Sequence, residues 1–77
     1  MSEYQVRLFV RTTGHSTAYA ETSWHVELQA ESLAAAEAKF FAEHLVEGRY
    51  RIMHRRTIVI LEPTHVVRIE IEEMRDA

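Results

Sequence analysis

The order of periodic segments predicts an α+β domain of ββαββ type: a four-stranded, mainly antiparallel sheet with one helix packed on one face. Three observations carry this reading. Residues 4–11 and 24–30 alternate apolar and polar side chains with the period of a strand. Residues 31–47 hold the alanine-rich segment, the only stretch with helical character. Residues 50–62 and 65–73 are rich in Ile and Val and are separated by Pro63. One helix covers only one sheet face, so the other face meets water or a partner.

In the first strand Tyr4, Val6, Leu8 and Val10 point one way, and Gln5, Arg7, Phe9 and Arg11 the other. Residues 12–22, with Gly14 and many small polar side chains, read as a loop or hairpin tip. Trp24, Val26, Leu28 and Ala30 then alternate with His25, Glu27 and Gln29. Ser32 is the expected helix N-cap, because its hydroxyl can accept from a free amide of the first turn. Ala34, Ala38, Phe41 and Leu45 form the stripe expected to face the sheet, flanked by Leu33, Glu37, Phe40 and His44. Gly48, which tolerates a left-handed backbone, is expected to end the helix after Glu47.

The last two strands are expected to form a hairpin at Pro63-Thr64. A two-residue loop there pairs Ile60 with Val67, Ile58 with Ile69 and Arg55 with Glu72. Ile58, Ile60, Val67, Ile69 and Ile71 then face the helix, and strand order 2-1-3-4 makes every pairing antiparallel. A tension accompanies this register, because the same parity puts His54 and Arg56 on the core side. A strand over residues 50–62 also spans about 43 Å, against about 24 Å for the helix. Its far end is therefore expected to project past the helix, or a bulge near residues 53–55 to reset the face.

The 77 residues bound one domain, 1–77, near the lower limit for a self-sufficient core, so its stability is marginal or shared with a second copy or partner. There is no cysteine, which excludes disulfides and thiolate metal sites. The longest apolar run, 57–61, is too short to span a membrane as a helix, and the N-terminal residues lack the order of a signal peptide. A cytoplasmic location is expected. The formal charge of −3 is unevenly spread. Arg49, Arg51, His54, Arg55 and Arg56 form a block without acids, and Glu70, Glu72, Glu73 and Asp76 an acidic end.

No His pair has the spacing of a metal site, and no glycine-rich or nucleophile–base motif stands out, so neither cofactor nor enzymatic activity is expected. The candidate site is a surface. Phe9, Val59, Leu61 and Val66 are expected to point away from the helix, which a monomer in water does not need. Arg7, Arg11, Arg51, Arg55 and Arg56 add the side chain best suited to polar contacts at an interface. This set predicts binding to a protein partner or to a second copy. The alternative is nucleic acid, with Arg7, Arg11, Arg55 and Arg68 contacting phosphates while Phe9 and His25 stack on bases.

Taken whole, the chain resembles small accessory proteins of phages and mobile elements, including anti-CRISPR inhibitors. These are compact, cysteine-poor sheets with one helix entered through an Ala-x-Ser/Thr-Leu segment, here Ala30-Glu31-Ser32-Leu33. The resemblance implies a non-enzymatic regulator or inhibitor that acts stoichiometrically by occupying a surface of a larger complex.

Overall fold

The computed structural model describes residues 1–12 and 20–76. Strand β1 (Ser2–Thr12) pairs antiparallel with β2 (Ala20–Ala30) along its full length, from Ser2↔Ala30 to Thr12↔Ala20. The expected loop 12–22 is therefore shorter at both ends, and the rest of it lies outside the described residues. Helix α1 (Leu33–His44) leads into β3 (Leu45–Val46), β4 (Arg49–His54) and β5 (Thr57–Leu61). A 3-10 turn (Pro63–His65) then returns the chain to β6 (Val66–Asp76), on the far side of β1. The class is α+β as expected, but the sheet count is not. Two three-stranded antiparallel sheets, β2-β1-β6 and β3-β4-β5, replace the single four-stranded sheet.

Length explains the division. The strands of the large sheet have 11 residues each and so run about 36 Å, whereas the 12-residue helix covers about 18 Å. The small sheet closes the remainder. The expected strand 50–62 neither projects nor bulges. It folds back on itself at Arg55-Arg56, where His54 pairs with Thr57. Arg55 takes φ 57°, the sign a two-residue hairpin loop requires at its first position. The preceding hairpin, closed by Val46↔Arg49, uses Glu47 (φ 52°) and Gly48 (φ 77°) in the same way, so Gly48 ends a β-hairpin and not the helix.

That turn also overturns the predicted register. Because His54 is opposite Thr57, Ile52 is opposite Val59 and the inward parity passes from even to odd positions. Ile52 is 1% exposed, and Val59 and Leu61 pack against the core beside it. Ile58 (46%) and Ile60 (58%) face outward instead. No hairpin forms at Pro63-Thr64, and Arg55 is not opposite Glu72. The partner of Glu72 across the sheet is Gln5. In β6 the register slips between Phe9 and Val10, which leaves Val67 exposed and Val66 half-buried against the core. Ile69 and Ile71 do pack on the core, as expected.

The core joins all layers. Tyr4, Val6, Leu8 and Val10 of β1 are buried, with Leu28 and Ala30 of β2, Ala36 and Phe40 of α1, and Ile52 of β4. Ser32 caps the helix as expected, its Oγ accepting from the Ala35 amide at 3.1 Å. The buried helical stripe is Ala36 and Phe40, not Ala34, Ala38 and Leu45, all of which are exposed. Ending the helix at His44 sends Leu45 into a strand, and Phe40 takes the central position. Its ring stacks on Tyr50 of β4 at 6.1 Å and on His44 at 5.3 Å. His44 Nδ1–H also donates to the Arg51 carbonyl at 2.9 Å, tying the last helical turn to the small sheet.

Candidate interaction surfaces

The helix-free face of the large sheet gathers Gln5, Arg7, Phe9 and Arg11 from β1, Ser23, His25 and Glu27 from β2, and Arg68, Glu70 and Glu72 from β6. Alternation alone places them there, and the sequence reading of Phe9, Arg7, Arg11, His25 and Arg68 on one face agrees with it. Arg55 is the exception, since it sits at the small-sheet turn.

The side chains of this face largely satisfy one another. Arg7 Nε donates to Gln5 Oε1 at 3.2 Å, and its Nη2 lies 3.5 Å from Glu72 Oε2. Arg68 Nε meets Glu70 Oε2 at 3.1 Å, while its guanidinium lies over the Phe9 ring, 4.1 Å from the centroid. Gln5 Nε2 donates to His25 Nδ1 and His25 Nε2–H donates to Ser23 Oγ, both at 3.3 Å, a pattern that suits one neutral tautomer. Exposed pairs of this kind contribute little stability. They do mean that Arg7 and Arg68 meet an incoming phosphate with acids already at hand, and that Phe9 is covered by a cation.

The outer face of the small sheet follows another plan. Val46 pairs across from Arg49, Arg51 from Ile60, and Met53 from Ile58. Met53 is 72% exposed, and Ile58 and Ile60 are also exposed, so an apolar cluster spans β4 and β5, while exposed Val46 of β3 is set apart from it by Arg49 and Arg51. Arg49 is held by Glu62 at 2.9 Å. Among the described residues, Arg51, Arg55 and Arg56 have no acidic partner within 4.0 Å. A shallow depression lies between Val46, Glu47, Arg49, Arg51 and Ile60.

The candidate set is thus split by the structure. Phe9, Arg7 and Arg11 share the open face of the large sheet. Arg51, Arg55 and Arg56 belong to the small sheet and its turn. Val59, Leu61 and Val66 leave the set, because they are half-buried and pack inward. Ile58 and Ile60, which replace them, needed the turn at Arg55-Arg56 to be recognised, and Val46 needed the helix to end at His44, whereas Met53 keeps the outward parity that alternation gives it. The signal for the turn was the excessive strand length and the two arginine-bearing positions in its middle. Among the described residues no group of three His, Asp or Glu is placed to hold a metal ion, and no polar or charged residue is buried. Among the described residues no helix is long and apolar enough to cross a membrane. Compared with known proteins, the chain matches no family model, no curated protein and no solved structure.

Proposed function

We propose that this is a non-enzymatic binding protein that works by stoichiometric protein–protein contact through the outer face of the small sheet. One observation carries the reading: Met53, Ile58 and Ile60 form an exposed apolar cluster beside Arg51, which among the described residues has no acidic partner. Exposed apolar patches mark contact surfaces when they are contiguous, and interfaces favour Met and Arg in their centres. Acting as a regulator or inhibitor of a larger complex fits the same surface, since occupying another molecule's site requires a face and no cleft.

Affinity capture with quantitative mass spectrometry tests this. A protein retained at a fixed stoichiometry by the native chain, lost with Met53→Glu or Arg51→Glu and kept with Glu27→Lys on the large sheet, is the expected outcome. Retention indifferent to both small-sheet changes refutes the assignment. A nucleic-acid reading is favoured only by Arg51, Arg55 and Arg56, which have no acidic partner among the described residues. It requires affinity that falls steeply with salt, by about 0.9 log unit per neutralised phosphate for each log unit of salt on duplex DNA. An apolar contact changes much less.

A further inference from the structure

Among the described residues the two sheets have four outer edges, those of β2 and β6 in the large sheet and those of β5 and of the two-residue β3, too short to template pairing, in the small one. Sheets guard such edges with charge, bulges, proline or a covering element. β6 carries Arg68, Glu70, Glu72 and Glu73 and slips register near both ends. β2 alternates Ser23, His25, Glu27 and Gln29 with its apolar positions, and Lys39 Nζ donates to the Gln29 carbonyl at 3.0 Å. β5, Thr57-Ile-Val-Ile-Leu61, has no charge, proline, glycine or bulge.

Its backbone polarity follows from the turn. In a two-residue hairpin the flanking residues, here His54 and Thr57, form a hydrogen-bonded pair, so Val59 and Leu61 also bond towards β4. Ile58 and Ile60 therefore direct their N–H and C=O groups to the open edge. These are the same two residues whose side chains are exposed on the outer face. Among the described residues, β5 makes backbone ladder bonds to β4 alone.

We propose that this edge pairs with the β5 edge of a second copy, antiparallel about a two-fold axis at Val59, joining two small sheets into one continuous sheet. The inference rests on the protein-contact reading above and names the partner. The register sets Ile58 opposite Ile60 of the second copy, and the reverse, so outward backbone groups meet outward backbone groups. It also sets Arg56 opposite Glu62 of the second copy at both ends. Among the described residues Arg56 has no acidic partner of its own, and Glu62 is half exposed with only Oε1 engaged by Arg49. Sliding by two residues puts Ile58 against Glu62 or Ile60 against Arg56. Sliding by one aligns outward backbone groups with inward ones and forfeits the bonds. Charge and apolar pattern thus select one self-pairing.

The absence of native cysteine makes the register testable. An Ile58→Cys chain and an Ile60→Cys chain of different mass, mixed and oxidised, should yield the mixed disulfide in excess of either self-disulfide. Sedimentation equilibrium of the native chain should show a dimer. Ile60→Pro should abolish it while circular dichroism stays native, because that N–H faces away from β4. Should Ile60→Pro unfold the chain, Arg56→Glu decides: it should raise the dissociation constant roughly tenfold, since two opposed pairs become repulsive, and adding Glu62→Arg should restore it. Self-disulfides in excess, or a dimer indifferent to Arg56→Glu, overturn the register. A chain that stays monomeric overturns the second copy as partner. The protein-contact reading survives that result when a foreign protein is still retained through Met53 and Arg51, and fails when none is.

Discussion

Each of the two sheets turns one face away from the core, and the two faces are built on opposite plans. On the large sheet Arg7, Arg68, Glu70 and Glu72 are paired, Phe9 lies under a guanidinium, and His25 is held between Gln5 and Ser23. On the outer face of the small sheet the apolar side chains are bare, and among the described residues Arg51 has no acidic partner. A face whose polar groups already satisfy one another gains little from a partner, because every new contact first breaks an old one. A face of exposed Ile and Met gains from burial at once, at roughly 25 cal/mol per Å² of apolar surface. The contrast is why the proposed contact surface is assigned to the smaller sheet, although the larger one has more area.

The largest expected effect separates two isoleucines of the same small sheet. Ile52→Ala removes the side chain that plugs the small sheet into the shared core, and should cost about 2–5 kcal/mol in urea denaturation of the dilute chain. Ile60→Ala, on the outer face, should stay within about 0.5 kcal/mol. Equal losses at both positions would mean that the outer face is itself core, and would dissolve the contrast between the sheets.

A middle-sized effect belongs to the helix that both sheets share. Ser32→Ala removes the acceptor for the Ala35 amide and should lower stability by about 1 kcal/mol, with loss of helical ellipticity on mild heating. Dimerisation measured well below the melting point should not change, because the cap lies outside the small sheet. The smallest effect is on the large-sheet face. Arg7→Ala and Arg68→Ala should each shift stability by less than about 0.5 kcal/mol and leave association untouched. A loss of partner binding in either would move the contact surface to the larger sheet.

Much of the large sheet was legible in the sequence, because alternation in residues 4–11 and 24–30 determines which side chains share a face once one side is buried. Ser32 was equally legible, as a cap depends on its own turn. The small sheet was not. A run of alternating positions from Arg51 to Ile60 looks like one strand until something marks a reversal, and Arg55-Arg56 carries no Gly, Asn or Pro to mark it. Pro63, the strongest local turn signal, instead starts a 3-10 turn that carries the chain between sheets. Misplacing that reversal inverted the parity of residues 58–61 and so exchanged Val59 and Leu61 for Ile58 and Ile60 at the candidate site. The helical face was misread for a related reason: the end of the helix at His44 is set by the β3–β4 hairpin, which local propensity does not reveal.

The claim that the small sheet supplies the contact surface is tested most directly by amide hydrogen exchange at single-residue resolution, in dilute and in concentrated protein. Ile58 and Ile60, whose N–H groups face the open edge, should exchange quickly in dilute solution and become protected as concentration rises. The edge amides of β2 and β6 should exchange at rates independent of concentration. Protection that grows on β2 or β6 while Ile58 and Ile60 stay fast would contradict the account.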